Sequence, residues 1–345
     1  MNGRDRGEEP GNAGSPRVRH PVPPAAAGER LDRFLAALHP DRSRSRIQAL
    51  VREGRATLNG RTARPGERLR EGDLVEIVLP PEPAEDRIEP EPRPLRVLHE
   101  DDHLAVLVKP AGIVVHPGAG VRSGTLAAAI LHRWPETAGV GGPGRPGIVH
   151  RLDRGTSGVM LVARTAAAHR ALQEQFRART VEKTYACICW GRPREPSGRI
   201  ELPVGRDPRV RTRMTTRARG GRPAVTLWEV LEEVPGFALL EARILTGRTH
   251  QVRVHLAAVG HPLVGDDTYA GRRDRGLADP VRRRAIRALG RPALHALEIA
   301  FDHPATGRRL RFRAPWPADL ADLWRVLGGR RRPGDAAPGD GEADR

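Results

Sequence analysis

Between residues 29 and 80 the spacing of apolar positions changes twice. Leu31, Phe34, Leu35 and Leu38 recur at i, i+3, i+4 and i+7, which predicts a short amphipathic helix. Ile47, Leu50 and Val51 predict a second, with Ser43 or Ser45 as its cap. Ala56, Thr57 and Leu58 then lead into Asn59-Gly60, a dipeptide suited to a two-residue hairpin turn, and residues 73–79 alternate as a half-buried strand does. After six prolines and five acids in residues 80–94, the pattern becomes one of short strands and turns with few helices. Residues 95–98, 104–108, 159–163, 184–190, 227–230 and 237–244 read as strands. Residues 166–177 and 249–259 read as helices, the second stopped by Gly260.

These patterns predict an α+β protein with a mixed, largely antiparallel sheet, preceded by a small α/β module. The expected boundaries are a disordered tail over 1–28, the module over 29–80, a stiff Pro-rich linker over 81–94 that leaves the module free to reorient, a main domain over 95–327, and a second disordered tail over 328–345. The longest apolar run is six residues, 126–131, against roughly 20 for a bilayer-spanning helix. Residues 1–28 are polar and rich in Pro and Gly, with no apolar segment of a secretory signal, so a cytoplasmic location is expected. Cys187 and Cys189 stand two apart on one face of a predicted strand, too far apart to bridge easily, and read as small buried residues.

Charge adds a partner. The chain has 59 basic and 42 acidic residues, a net charge of +17, and Lys109 and Lys183 are its only lysines. A GC-rich coding sequence accounts for arginine over lysine but not for the sign. The excess is patchy: residues 192–222 hold ten arginines against three acids, and residues 272–291 hold eight against two. Nucleic acid binds such patches by counterion release, whereas a membrane-surface helix needs an apolar face that these Gly/Pro-broken stretches lack. Arg42, Arg44, Arg46, Arg52 and Arg55 crowd the second predicted helix and its exit.

Candidate chemistry concentrates in residues 147–158, GIVHRLDRGTSG, where an apolar strand enters and leaves a tight loop that carries Asp153. In residues 246–255, TGRTHQVRVH, Arg248 precedes Thr249, read as a helix N-cap. A cation beside the positive end of a helix dipole calls for an anion, which Asp153 or an RNA phosphate could supply. Pairing with arginine lowers an aspartate pKa by roughly 1–3 units and keeps it ionised as a nucleophile. Tyr185, one of two tyrosines, reads on its own as core packing. His250 and His255 are five apart and do not share a helix face, and the turn at Gly265-Asp266-Asp267 needs no metal, so no metal site is expected. Ser157 lies outside a nucleophile elbow.

Residues 28–33, 43–47 and 54–60 resemble the S4 RNA-binding domain. His150 to Gly158, Glu182-Lys183-Thr184-Tyr185, and 246–255 with 260–266 resemble, in that order, the motifs of the RluA family of RNA pseudouridine synthases. Further matches are Val108 to Gly112, Val115 to Gly120 and Ala293 to Ala296. With the S4-like module in front, the likeness is greatest to the RluD-type branch, which acts on large-subunit ribosomal RNA, and it covers residues 29–327. The resemblance implies a cofactor-free isomerisation in which uracil leaves its N1–C1′ bond, turns and reattaches through C5. Asp153 then matches the nucleophile, with attack at C1′, addition to C6 and assisted elimination to a glycal all open. Tyr185 matches the active-site tyrosine that stacks on the base, and Arg248 the arginine that pairs with the aspartate. Arg151 is expected to enter the helix vacated by the flipped base, and Lys183, His250, Arg253, Arg42, Arg44 and Arg46 to contact RNA. Arg154-Gly155 departs from the basic-acidic pair that the family often carries there and is expected to add flexibility. The partner expected is RNA, with no cofactor, no membrane and a monomeric protein. The rivals are a catalytically silent RNA-binding or assembly factor and a metal-dependent RNA hydrolase.

Overall fold

The computed structural model describes residues 17–40, 42, 44–80, 88–118, 121–142, 144–210 and 212–334. Two compact units divide the chain near Ile88.

The first unit holds a four-stranded sheet in the order β1-β4-β2-β3, from β1 (Arg17–Pro21), β2 (Ala56–Leu58), β3 (Arg61–Thr62) and β4 (Leu74–Val78). Helices α1 (Leu31–Leu38) and α2 (Arg44–Arg52) bury Leu31, Leu35, Ile47 and Leu50 together with Val75 and Ile77 of β4. Leu38 is exposed in the last turn of α1, so the predicted stripe is one residue shorter than its spacing. The hairpin turn forms as predicted, with Asn59 and Gly60 both at positive φ. Residues 17–28 correct the expected tail: β1 pairs antiparallel along the whole of β4, from Arg17 opposite Val78 to Pro21 opposite Leu74, and Val22 and Ala26 join the core. Alternation over five residues was too short to stand out among prolines. The proposed cap Ser43 lies outside the described residues.

Asp32 of α1 is fully buried and accepts hydrogen bonds from Arg30 Nε (3.0 Å), Arg44 Nη2 (3.0 Å) and Gln48 Nε2 (2.5 Å). Burial would raise its carboxyl, but these bonds hold it well below the usual carboxylate range. Asp32→Ala should lower the stability of this unit by about 1–3 kcal/mol, because two guanidinium groups lose their acceptor. Denaturant titration checks this; an unchanged midpoint refutes it.

The second unit is built on a nine-stranded sheet. Its strands are β5 (Arg96–Glu100), β6 (Leu104–Lys109), β7 (Ser157–Ala163), β8 (Glu182–Trp190), β9 (Ser197–Glu201), β12 (Val225–Val234), β13 (Phe237–Ile244), β14 (Leu294–Asp302) and β15 (Arg309–Arg313). A separate ribbon is made by β10 (Gly205–Arg206) and β11 (Met214–Thr215). The sheet order is β5-β6-β7-β14-β8-β13-β12-β9, with β15 beside β14. Among the described residues only β7 and β14 run parallel, so the sheet is mixed and largely antiparallel. That junction explains Gly158: at φ +127° its Cα faces β14 so closely that a Cβ would lie 2.2 Å from the Ala296 carbonyl oxygen.

The helices are α3 (Leu126–Arg133), α4 (Ala166–Ala178), α5 (Gln251–Ala258), α6 (Pro280–Leu289) and α7 (Ala318–Leu327). Strands β8 and β13 are buried on both faces. Ile188, Trp190, Phe237 and Leu239 pack under α6 and α7, while Cys187, Cys189, Ala238, Leu240 and Ala242 pack under Val252 and Leu256 of α5. Both cysteines are free, buried and on one face, with burial raising their thiol pKa values. Tyr185 and Lys183, two and four residues before Cys187, fall on the face that α5 covers.

Two expected boundaries are corrected here. Linker residues 89–94 belong to this unit, where the Glu91 carboxylate accepts from Gly124 N at 2.9 Å; residues 81–87 lie outside the description. Residues 328–331 are no tail, since Gly329 closes α7 and the Glu232 carboxylate accepts from the backbone N–H groups of Arg330 and Arg331. No helix among the described residues is long and apolar enough to cross a membrane.

Candidate active site

Asp153 sits in the loop between the bridge Ile148–Val162 and β7. The loop is pinned from several sides. Leu152 and Thr156 are buried, Thr156 N donates to the Asp153 carbonyl at 3.1 Å, and Gly112 N donates to the Arg154 carbonyl at 2.8 Å. His150 Nε2 accepts from Leu161 N at 2.9 Å. Burial, with Lys183 nearby, pushes this imidazole down to about 3, so it serves as a neutral wall. Beneath the loop Lys109 is fully buried, its ammonium donating to the carbonyls of Pro110 (2.8 Å), Ile113 (2.8 Å) and Arg154 (3.3 Å). Burial lowers its pKa to about 8, and the Asp153 carboxylate opposes that shift.

A cavity of about 500 Å³, within the usual range for ligand sites, is lined by Asp153, Tyr185, Lys183, Arg248, His250 and Arg253 among others. A second, of about 480 Å³, shares Arg151, Asp153, His250 and Arg253, so Asp153 stands between two recesses. Tyr185 reaches the first from β8, its pKa raised by burial and by Asp153. Arg151 is exposed and lines both. Lys183 lies 5.5 Å from the Phe176 ring centre, and burial lowers its ammonium to about 8.

The partner of Asp153 differs from the expected one. Arg253 Nη1 lies 3.6 Å and His250 Nε2 3.8 Å from its Oδ2, whereas Arg248 turns its Nε to the Pro223 carbonyl at 3.3 Å. The reason is where the helix begins. Its N-cap is His250, at φ 57°, and not Thr249, so helical rise starts at Gln251 and carries Arg253 toward the loop while Arg248 stays in the preceding turn. Gln251 fixes that turn, its Oε1 accepting from Arg248 N (3.0 Å) and from the Thr246 hydroxyl (2.8 Å). The anion expected at this helix end is present twice. Besides Asp153, the buried Asp266 accepts both Arg253 Nε (2.7 Å) and Nη2 (2.8 Å).

Asp266 is thereby explained as an arginine holder at a turn. Among the described residues no group of three His, Cys, Asp or Glu could hold a metal. His255 is buried, bonded to the Thr226 hydroxyl and the Leu202 carbonyl. Ser157 is buried against His295 Nδ1 at 2.9 Å, and burial pushes that histidine down to about 4. Gly155 corrects the flexibility expectation, because its Cα abuts Pro292 so closely that a Cβ would stand 2.9 Å from the ring Cδ.

The chain matches the RNA pseudouridylate synthase family over residues 103–258 and the S4 domain over residues 29–75. It is 44% identical over 308 residues to the ribosomal large subunit pseudouridine synthase D of Xanthomonas campestris, covering 89% of this chain and 91% of that protein. The chain belongs to the RNA pseudouridylate synthase family. The enzyme of the same name from Neisseria meningitidis is 41% identical over 312 residues, 90% of this chain and 82% of that one. Among solved structures, human RNA pseudouridylate synthase domain containing 4 aligns with a TM-score of 0.52 at 27% identity, covering 67% of this chain and 92% of that chain.

The protein is therefore an RNA pseudouridine synthase, an isomerase with an N-terminal S4 domain. Sequence reading missed several residues lining this synthase's larger cavity. Arg179 lies there because it ends α4 at φ 63°, and Phe176 lies one helical turn before it. An arginine in the left-handed region has no sequence signature. The three S4 arginines differ in setting: Arg44 is held by Asp32, Arg46 lies 3.8 Å from Glu53, and Arg42 is half-buried.

Proposed function

We propose that this synthase converts uridines of large-subunit ribosomal RNA to pseudouridine, acting in the cytoplasm as a monomer. The observation that carries the reading is Asp153, an accessible carboxylate between two recesses with two cationic or protonatable partners within 4 Å and Tyr185 in the same cavity. The target base is flipped into the cavity, at a cost of a few kcal/mol, and stacks on Tyr185 while Arg151 fills the gap. Asp153 acts as the nucleophile. The N1–C1′ bond breaks, uracil turns, C5–C1′ forms, the hydrogen at C5 leaves as a proton and N1 gains one, so atoms and electrons balance with no cofactor. Lys183, His250 and Arg253, with Arg42, Arg44 and Arg46 of the S4 domain, serve the RNA.

Incubation with unmodified large-subunit ribosomal RNA in the presence of chelator, followed by mass-spectrometric mapping, should find pseudouridine at discrete positions. Intact uridines in both free RNA and ribosomal particles would defeat the assignment.

Lys183 adds a pH dependence. Its ammonium, present below about 8, is lost as pH rises through that value, so RNA affinity should fall by about threefold to tenfold between pH 7 and 9. Lys183→Arg should flatten the profile, because a guanidinium does not titrate there. A parent Kd independent of pH would rule Lys183 out as a phosphate contact.

A further inference from the structure

The ribbon β10/β11 lies outside the main sheet and stands out for its charge. Residues 205–222 contain seven arginines and one acid, Asp207, whose carboxylate is occupied by the backbone N–H groups of Arg209 (2.8 Å) and Val210 (3.2 Å). Arg209, Arg217, Arg219 and Arg222 are exposed, and none makes an ion pair among the described residues. Several arginines of the main sheet and of α6 are paired instead: Arg309 and Arg311 with Glu182, Arg313 with Glu241, and Arg287 with Asp274. Unneutralised charge on an exposed ribbon suits a phosphate backbone. At its tip Val210 is 48% exposed beside Arg209, so an apolar wedge sits next to a phosphate contact.

The base of the ribbon is closed by reciprocal Val204–Arg222 backbone bonds of 2.9 Å, and its underside is tied to the active site by one side chain. Met214 and Tyr269 pack on a small core of Val204, Ala224 and Val254 of α5. Tyr269 accepts at its hydroxyl from Met214 N (2.9 Å) and meets His250 Nδ1 at 2.9 Å. The phenol hydrogen is then available to Nδ1, and the tautomer that accepts it carries the imidazole proton on Nε2, the nitrogen facing Asp153 at 3.8 Å. The ring also lies 5.1 Å from the Arg253 guanidinium and 5.3 Å from that of Arg213 on the ribbon. Tyr269 thus touches both groups that face Asp153 and, through Arg213 and Met214, the β11 side of the ribbon.

The geometry points to the 205–222 ribbon as an RNA clamp, with Tyr269 as the positioning residue through which its docking on RNA sets His250 and Arg253 against Asp153. The inference rests on the proposed reaction and deepens it: the ribbon reads RNA outside the cavity and makes the catalytic set depend on that contact. Tyr269 itself touches no reacting atom.

Four variants of the full-length protein test it: Tyr269→Phe, which keeps the ring and removes only the hydroxyl; the triple Arg209→Ser, Arg217→Ser, Arg219→Ser; the combination of these two; and Tyr269→His. The triple should reduce the slope of log Kd against log salt by about two to three, one phosphate contact per arginine. Tyr269→Phe should lower kcat by about tenfold with KM for RNA within about twofold and the melting temperature unchanged. Amide exchange at Met214 should quicken, and Tyr269→His, which retains a polar ring atom, should recover part of kcat. The triple should also lower kcat at saturating RNA, and in the Tyr269→Phe background it should lower kcat no further.

An unchanged salt slope overturns the clamp. A Tyr269→Phe effect on KM alone, an unchanged kcat, or kcat losses that multiply in the combined variant overturns the coupling. The slope is read from binding and not from turnover, so a protein inert on large-subunit RNA would refute the substrate assignment and still leave the clamp decided by its own measurement.

Discussion

The Asp153→Asn variant should bind RNA as the parent does and form no measurable pseudouridine, a loss on the order of 10⁴ or more in kcat. Asn keeps the shape of the side chain and the backbone bond from Thr156 N, but it carries no negative charge and no nucleophilic oxygen. Little stability is at stake, because the contacts of Asp153 with Arg253 and His250 are 3.6 and 3.8 Å long, and Arg253 keeps its two shorter bonds to Asp266. The melting temperature should therefore move little, and any change should correspond to less than about 1 kcal/mol. Mass-spectrometric mapping beside a filter-binding isotherm gives both quantities from one preparation. Product formation by the variant at the parent's rate would remove Asp153 from the chemistry.

The second large effect separates two arginines that the sequence ranked the other way round, with Arg248 as the partner of Asp153. Arg253→Met should lower stability by about 3–5 kcal/mol, because Asp266, only 1% exposed, is left as a buried carboxylate without its counterion. The surviving folded protein should lose about a hundredfold or more in turnover, with His250 and Asp153 no longer held. Arg253→Lys should recover part of the stability and less of the activity, since an ammonium cannot bond both Asp266 oxygens in the guanidinium's fork. Arg248→Ala should differ: its guanidinium makes one long bond to the Pro223 carbonyl, so stability should change by no more than about 0.5 kcal/mol while RNA affinity falls. Denaturant midpoints and steady-state kinetics of the three variants decide it. Equal destabilisation by Arg253→Met and Arg248→Ala would mean that the site is assembled differently.

Strands and helices were legible where one period ran long enough. Phe237–Ile244 was read to the residue, and α4 to within one. The central strand β14 was not, although it pairs parallel with β7 on one side and antiparallel with β8 on the other. Leu294–Asp302 is buried on both faces over most of its length, and an apolar stretch without alternation does not distinguish a strand from a helix. Helices α3 and α6 escaped for related reasons: α3 is Ala-rich and buried without alternation from Leu126 to Ile130, and α6 is an arginine-rich segment with one buried apolar residue.

By itself the sequence determined the composition of the site and its placement on rigid supports. Asp153 had to lie in a tight loop, because glycines and small hydroxyls separate two apolar strands, and Tyr185 and Lys183 had to share a strand face, because side chains alternate with a period of two. Motif order and the S4 pattern likewise pointed to an RNA-modifying enzyme. Pairing across the site was decided only in three dimensions. Whether Arg248 or Arg253 meets Asp153 depends on the residue at which α5 begins, and that start is set by the left-handed His250 and the bonds of Gln251 to Thr246, Val225 and Thr226. The bonds to Val225 and Thr226 join residues 26 and 25 positions apart, so no local pattern encodes them. The same holds for Tyr269, which meets His250 and Met214 because the turn after Asp266 folds back against α5 and the ribbon.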